Sequence, residues 1–283
     1  MLSSDHSPQS ASGFAHDYQF MSCTTPCRIG VLAEDSRYAE VADELARHIG
    51  VVAVRAEDER LVHEVSLRVV VGPEICVYSG HGRNERRIAV DFSAPALQQR
   101  VQTGSKDLLI RACGLHKENH RVRRVMDATA GFGNDAWVLA AAGVEVIAAE
   151  QDPLVGALLR SALNRARSQG LAASERLTLY VGDAKELNAP EPIDVVYLDP
   201  MFSAGRRKAA SSKSMSFLQD WLHDKYSEQD QQALFERACD VALARVVVKR
   251  SAKAEPLSSY PPTFQIKGKT HRFDVYQLGN GSA

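Results

Sequence analysis

The chain has 283 residues, 45% of them hydrophobic and 24% charged, which is typical of a globular protein with one large domain or one domain and a smaller partner. Its formal net charge of −1 excludes a globally basic protein, so any contact with nucleic acid must come from local clusters of Lys and Arg. No apolar run approaches the roughly 18 residues that a membrane-spanning helix needs, and the polar start of the chain is not a secretory signal. The isolated pair Cys23 and Cys27 has no second metal-binding pair to complete it, so we expect reduced thiols, no metal and a cytoplasmic protein.

The first part of the chain is predicted to be a leader followed by a small domain. Residues 1–27 are polar and rich in Ser, and we expect this leader to be disordered. Residues 28–95 combine short apolar runs with one helical pattern that ends before Gly50, which predicts a small α/β domain. Its predicted elements are strands at residues 28–34, 51–54, 67–71, 75–78 and 88–92 and a helix at residues 38–49.

The second part is predicted to be a helical connector, residues 96–123, and a larger α/β domain, residues 124–283. In the larger domain strands and helices alternate, which predicts a Rossmann-like parallel sheet with helices on both faces. The last two strands are expected to form an antiparallel hairpin. The predicted strands lie at residues 125–128, 144–149, 177–181, 195–198, 245–249, 264–267 and 273–277, and the helices at residues 135–142, 153–167 and 231–243.

The segment DATAGFGND (127–135) lies directly between a predicted strand and a predicted helix. Gly131 and Gly133 allow a tight turn and the close approach of a ligand, and the first turn of the helix offers free N–H groups. The pattern indicates a cofactor or nucleotide site, although an ordinary strand–helix turn can use glycine in the same way.

Two acidic residues follow the next two predicted strands. Glu150 stands where a carboxylate can accept hydrogen bonds from both ribose hydroxyls of a nucleoside, the alternative being an exposed carboxylate at a strand end. Asp183 stands where it can meet an adenine, and it can also be the N-cap of a helix that starts at Ala184. The third small residue of the dinucleotide fingerprint falls on Ala136, and the bulky Trp137 follows it directly. We interpret the tryptophan as disfavouring a pyrophosphate cofactor and favouring S-adenosylmethionine.

A buried strand is predicted to end in Asp199-Pro200-Met201-Phe202, at the edge of the sheet where ligands bind. In amino-methyltransferases a similar tetrapeptide accepts hydrogen bonds from an exocyclic NH₂ and stacks an aromatic ring on the base. We therefore predict that Asp199 is the acceptor and proton sink, that Pro200 fixes the turn and that Phe202 is the stacking platform. The alternative is a plain strand end whose Met and Phe belong to the core.

Several basic residues lie near the predicted strand ends and are expected to contact RNA phosphates or, alternatively, to be solvated surface charges. They are Arg206, Arg207 and Lys208 in a polar loop, and Lys249, Arg250, His271 and Arg272 on the last strands. For His271 a structural, hydrogen-bonded role is an equal alternative.

Four segments together resemble the 16S ribosomal RNA guanine-N2 methyltransferases of the RsmJ type. They are DATAGFGNDAWVLA (127–140), VVYLDPMF (195–202), RVVVKR (245–250) and THRFDVY (270–276). The resemblance covers residues 28–277 and implies a class I methyltransferase fold, S-adenosylmethionine as cofactor and methylation of N2 of guanine 1516 in 16S rRNA or the small ribosomal subunit. By position it implies a cofactor site at Asn134, Asp135, Glu150, Gln151, Asp183, Ala184 and Asp199. Asn134 and Gln151 replace basic residues of the relatives, and Ser203 replaces a proline.

Other functions are compatible with the same residues. An amino-methyltransferase that acts on DNA or on a protein amide would use the same acceptor at Asp199. A non-catalytic RNA-binding protein and a nicotinamide oxidoreductase are the remaining alternatives, the last being disfavoured by Trp137.

Overall fold

A computed structural model describes residues 29–55, 65, 67–80, 82–200, 221–222, 225 and 227–279. The predicted leader, with Cys23 and Cys27, lies outside these residues. Among the described helices, none is both long and apolar enough to cross a membrane.

The first sheet has five strands: β1 (Ile29–Ala33), β2 (Val52–Val54), β3 (Leu67–Val71), β4 (Ile75–Ser79) and β5 (Arg86–Ile88). Their order is β2-β1-β3-β4-β5, with β1 parallel to both neighbours and the last two pairs antiparallel. Helix α1 (Ala39–Ile49) connects β1 to β2 and ends at Gly50, whose φ of 78° is easily adopted by glycine. The strand predicted at residues 88–92 is wrong beyond Ile88, because Phe92 turns away from the sheet into the core.

The connector contains α2 (Pro95–Thr103) and α3 (Leu108–Ala112). The side chain of Asp107 caps α3 by accepting a hydrogen bond of 2.8 Å from the Leu109 N–H. The helical part of the predicted connector ends with α3, since Gly114 follows with a φ of 79° and has the Arg245 guanidinium where a Cβ would lie.

Within the described residues, the second sheet has seven strands and three helices pack on it. Its elements are β6 (Arg124–Asp127), α4 (Asn134–Ala141), β7 (Glu145–Glu150), α5 (Pro153–Ser168), β8 (Leu177–Val181), β9 (Ile193–Leu198), α6 (Glu228–Val241), β10 (Ala242–Ser251), β11 (Phe264–Lys267) and β12 (His271–Gln277). The order is β11-β12-β10-β9-β6-β7-β8; β12 runs antiparallel to β10 and β11, and the other neighbouring pairs are parallel. The predicted α/β class and the antiparallel strand pair at its end are confirmed.

The two sheets share one hydrophobic core. Phe92 stacks face to face on Trp137 of α4, with ring centroids 4.3 Å apart. The Ile75 N–H at the start of β4 donates a hydrogen bond of 2.9 Å to the Ser161 hydroxyl of α5. The division predicted near residue 95 lies between the two sheets, but one buried cluster contains residues from both. The domain boundaries stay a prediction.

Candidate active site

The carboxyl ends of β6, β7, β8 and β9 meet at one edge of the large sheet, which we call the catalytic edge. Past its end, β6 is tied to both neighbours, since Ala128 N donates to Tyr197 O (2.9 Å) and Ala130 N donates to Ala149 O (3.0 Å). The Asp199 N–H donates to the Thr129 hydroxyl over 2.6 Å. The two segments that the sequence predicts to be functional, the glycine turn and the Asp-Pro strand end, are thus in direct contact.

The glycine turn has the predicted backbone, but one of its glycines serves packing. Gly131 and Gly133 have φ values of 54° and 75°, in the left-handed region that favours glycine. A Cβ on Gly133 would lie 2.6 Å from the Leu159 side chain of α5. The space next to the Gly133 Cα is therefore filled by Leu159 and not by a ligand. The interpretation that this glycine lets a ligand approach does not hold on that side. Asn134 follows and is exposed.

Glu150 is buried at the end of β7 rather than exposed. Its Oε2 accepts a hydrogen bond from Gly131 N (2.7 Å) and its Oε1 accepts one from Asp152 N (2.8 Å). Burial raises the pKa of Glu150 to about 7, although these backbone N–H groups act to lower it. Each oxygen keeps a second lone pair, so the carboxylate can still accept a hydrogen bond from a ligand. Gln151, the next residue, is exposed.

Asp127 is a site residue that the sequence analysis does not single out. It ends β6, is 1% exposed, and accepts a hydrogen bond of 3.2 Å from Thr129 N through Oδ1. Its Oδ2 is buried and has no hydrogen-bond partner in the described part of the chain. Burial, followed by the charge of Asp135, raises the pKa of Asp127 well above its ordinary value. The signal in the sequence is its place as the last strand residue before the glycine turn.

Asp183 and Ala184 lie after β8 but do not start a helix. Asp183 Oδ1 accepts a hydrogen bond of 2.9 Å from Lys185 N, and the Lys185 ammonium lies 3.3 Å from Oδ2. The predicted helix at Ala184 is wrong, because the chain makes a single turn and Ala184 is buried. The side chain of Asp183 remains partly exposed at the catalytic edge.

Asp135, Asp199 and Lys249 form a charged cluster at the start of α4 and the ends of β9 and β10. Lys249 Nζ donates to Asp199 Oδ2 over 2.7 Å and to Asp135 Oδ2 over 3.1 Å. The Tyr197 hydroxyl donates to Asp135 Oδ2 over 2.5 Å, and the Arg100 guanidinium donates to Asp135 Oδ1. Asp135, which the resemblance assigns to the cofactor, thus has both carboxylate oxygens engaged by the protein.

The cations of this cluster keep its central carboxylate ionised. Burial acts to raise the pKa of Asp135, but Lys249 and Arg100 outweigh it and hold this pKa below its usual range. Burial likewise acts to lower the pKa of Lys249, and the two carboxylates raise it above its ordinary value. At neutral pH the cluster therefore holds ionised Asp135 and protonated Lys249.

Two of the arginines predicted to contact RNA are buried and hold the backbone instead. The Arg250 Nε donates to Glu255 O over 2.8 Å. Arg272 forms two hydrogen bonds, of 2.8 and 3.0 Å, with the Asp274 carboxylate and donates to the carbonyls of Ser251 and Ala252. Their exposures of 7% and 6% disagree with the predicted phosphate contacts, because these guanidinium groups do not face solvent.

His271 is half-buried and packs edge-on against Phe273, with ring centroids 5.4 Å apart. Burial, together with the charge of Lys249, lowers its pKa, so the ring is neutral near pH 7. Pro200 is buried directly after Asp199. Phe202 and the basic loop residues Arg206, Arg207 and Lys208 lie outside the described residues, as do Met201 and Ser203.

Comparisons with known proteins agree on one family. Residues 60–278 match the family described as "Putative SAM-dependent methyltransferase". A "Ribosomal RNA small subunit methyltransferase J" of Thioalkalivibrio sulfidiphilus is 40% identical over 73% of this chain and 86% of its own length. A protein of the same name from Magnetococcus marinus is 35% identical over 87% of this chain and 96% of its own length.

A crystal structure of a SAM-dependent methyltransferase from Neisseria gonorrhoeae is 29% identical, with a TM-score of 0.65 over 90% of this chain and 97% of that one. This likeness confirms the class I methyltransferase fold, with S-adenosylmethionine as the methyl donor. By its sequence and its fold, the chain belongs to the ribosomal RNA small subunit methyltransferase J family of S-adenosylmethionine-dependent methyltransferases.

Proposed function

We propose that this enzyme transfers a methyl group from S-adenosylmethionine to the exocyclic N2 amine of a guanine in 16S rRNA, at family position 1516. The observation that carries the proposal is the place of Asp199. Its carboxylate ends β9 at the catalytic edge, its backbone is bonded to the glycine turn through Thr129, and its side chain is 39% exposed. A carboxylate oxygen there can meet an amine next to a cofactor held by the glycine turn.

The residues at the ends of β6, β7 and β8 fit S-adenosylmethionine. The cofactor carries hydrogen-bond donors on its ribose, its ammonium group and its adenine, and this half of the edge offers acceptors. Asp127 has a buried oxygen without a protein donor, Glu150 keeps free lone pairs and Asp183 is partly exposed. We assign the cofactor site to these three residues and the backbone of Gly131, Gly133 and Asn134, with Gln151 and Ala184 at its border.

Asp199 and Pro200 direct the transfer, with Phe202 proposed as the ring that stacks on the base. When S-adenosylmethionine is bound, the amine nitrogen bonds to its methyl carbon, the carbon–sulfur bond breaks with its electron pair left on sulfur, and a proton leaves the nitrogen. Asp199 accepts the hydrogen bond of that amine and receives the proton. Lys249 engages Oδ2, so Oδ1 is the oxygen that faces the substrate.

The RNA is proposed to lie across two turns at the catalytic edge, the turn between β11 and β12 and the turn that precedes α3. Gly268, in the turn between β11 and β12, has the Leu108 side chain of α3 where a Cβ would lie, at 2.9 Å. The two turns are therefore neighbours, and their exposed lysines can share one phosphate backbone. These lysines are Lys106, Lys267 and Lys269. The loop arginines Arg206 and Arg207, with Lys208, stay predicted contacts.

Charge reversal tests this surface. The double variant Lys267→Glu/Lys269→Glu should raise the KM for RNA roughly tenfold, because two phosphate contacts are replaced by repulsion. S-adenosylmethionine affinity, measured by calorimetry, should not change. An unaltered KM for RNA, at low and at physiological salt, would remove the two lysines from the proposed surface.

The function itself is tested by mapping modified guanines in rRNA from a strain that lacks this gene. Loss of one N2-methylguanine in 16S rRNA, restored by the gene on a plasmid, is the expected result. Incubation of the purified enzyme with radiolabelled cofactor and with RNA, small ribosomal subunits, DNA or protein then identifies the substrate class. Label in DNA or protein alone would contradict the proposal. With ribosomal RNA as its substrate, the enzyme is also proposed to be cytoplasmic.

A further inference from the structure

Lys249 lies inside the candidate active site. The sequence analysis assigns it to RNA contacts, but its ammonium group donates to Asp199 Oδ2 at 2.7 Å and to Asp135 Oδ2 at 3.1 Å. Its side chain is only 25% exposed. Both hydrogen bonds join opposite charges, which makes them stronger than neutral ones. A lysine that is held in this way by two carboxylates is not a free phosphate contact.

The two carboxylates that Lys249 joins differ in their surroundings. Asp135 is fixed from three sides, by Lys249, by Arg100 from α2 and by the Tyr197 hydroxyl from β9. Its side chain is 12% exposed, against 39% for Asp199. Lys249 therefore connects a rigid, buried anchor to the carboxylate that faces the substrate.

We propose that Lys249 is a positioning residue of the transfer reaction, which orients the Asp199 carboxylate through their ion pair, with Asp135 as the anchor of Lys249. This inference rests on the proposed transfer to an amine. A charged, oriented Asp199 Oδ1 accepts the amine hydrogen bond before transfer and the proton after it. Without Lys249, Asp199 would lose the cation that fixes its rotamer and would lie beside another negative charge.

The charges around Asp199 give the expected pH dependence. The pKa of Asp199 lies above its ordinary value, because removal from water and the charge of Asp135 raise it by more than Lys249 lowers it. The titratable groups that face it from the packed elements are Lys249 on β10, Asp135 on α4, Asp127 on β6, Tyr197 on β9 and His271 on β12. Loss of the Lys249 charge leaves the raising effects unopposed by a direct ion pair, so the pKa of Asp199 must rise.

The test compares three variants in single-turnover methyl transfer at saturating S-adenosylmethionine and RNA. Lys249→Met removes the charge at similar length, and the rate should fall about 100-fold, within the range for acid–base residues. The acidic limb of the rate profile should move up by about one pH unit, while cofactor affinity stays unchanged. Lys249→Arg keeps the charge and should restore the limb. Lys253→Met, an exposed lysine of the adjacent loop, is the matched control and should behave as wild type.

A second measurement needs no cofactor and no RNA. Carbon-13 NMR of the aspartate carboxyls follows the titration of Asp199, whose signal is assigned by its loss in Asp199→Asn. In Lys249→Met this titration should shift to higher pH, and in Lys253→Met it should not. If Lys249→Met does not fold, Lys249→Gln also removes the charge and replaces it in both measurements.

The outcomes separate this inference from the proposed function. An unchanged acidic limb and an unchanged Asp199 titration in Lys249→Met would overturn the inference. So would a rise in the KM for RNA with no change in the transfer rate, which would return Lys249 to phosphate binding. A wild-type enzyme that methylates no RNA amine would instead overturn the proposed function, while the NMR titration would still test the contact between Lys249 and Asp199.

Discussion

The two halves of the catalytic edge hold their carboxylates by different means. In the cofactor half, Glu150 is held by backbone N–H groups of Gly131 and Asp152, and burial raises its pKa to about 7. In the transfer half, Asp135 and Asp199 share the ammonium group of Lys249. The backbone N–H groups fix the position of Glu150 without fully replacing the water it has lost, whereas the positive charges of Lys249 and Arg100 fix Asp135 and also keep it ionised.

This difference predicts that the two steps of the reaction respond to different conditions. Cofactor binding depends on a carboxylate that titrates near neutral pH, so it should change between pH 6 and 8. Transfer depends on the ion pair of Asp199 with Lys249, so the acidic limb of its rate profile should move when Lys249 is changed and should not move when Glu150 is changed.

The largest effect is expected for Asp199→Ala in the transfer half. Without the acceptor of the amine hydrogen bond and of the proton, the single-turnover rate should fall by about 10³-fold or more. Cofactor affinity, measured by calorimetry, and the thermal midpoint should stay near wild type, because Asp199 is partly exposed and Lys249 keeps its bond to Asp135. A large loss of cofactor affinity would show that the two halves are one site energetically.

A smaller effect, and a different one, is expected for Glu150→Gln in the cofactor half. For wild type, the dissociation constant of S-adenosylmethionine should fall about tenfold from pH 6 to pH 8, since the carboxylate becomes ionised through a pKa of about 7 and is then the better acceptor. The Gln variant cannot ionise, so its affinity should be weaker at pH 8 and nearly independent of pH.

The transfer rate at saturating cofactor is the internal control for Glu150→Gln, and it should change little. Circular dichroism is the control for the fold, because the Gln side chain has one acceptor oxygen for the two N–H groups of Gly131 and Asp152, and its NH₂ faces the other N–H group. If the variant keeps the full pH dependence of wild type, the titrating group is another one, and Asp127 is the first to examine.

The fold and the strand-end positions follow from the sequence for a physical reason. Alternating strands and helices can pack only as a parallel sheet, and the carboxyl ends of such strands must meet at one edge. This places Glu150 and Asp199 without any knowledge of tertiary contacts. Local patterns are less reliable where the core decides, as at Phe92, which leaves the predicted strand to stack on Trp137.

The charged cluster could not be predicted in the same way, because it joins residues that lie far apart in the chain. Arg100, Asp135 and Lys249 belong to three elements, and only packing brings them together. One signal was present but incomplete. Side chains alternate along a strand, so Lys249 and Arg250 must face opposite sides of β10. Which of the two sides meets Asp135 depends on where α4 packs against the sheet, which the sequence does not specify.

The smallest effect is expected for Tyr197→Phe, which tests whether charge or hydrogen bonding holds the transfer half. The variant removes the hydroxyl that donates to Asp135 Oδ2 over 2.5 Å but keeps the buried ring in place. Since Lys249 and Arg100 still neutralise Asp135, the transfer rate should fall by about fivefold or less, which is only part of the roughly 1.5–3 kcal/mol that a hydrogen bond to a charged group contributes. The acidic limb of the rate profile should not move. A loss as large as that of Lys249→Met, measured in the same single-turnover assay, would mean that the tyrosine hydroxyl rather than the ion pairs positions the cluster.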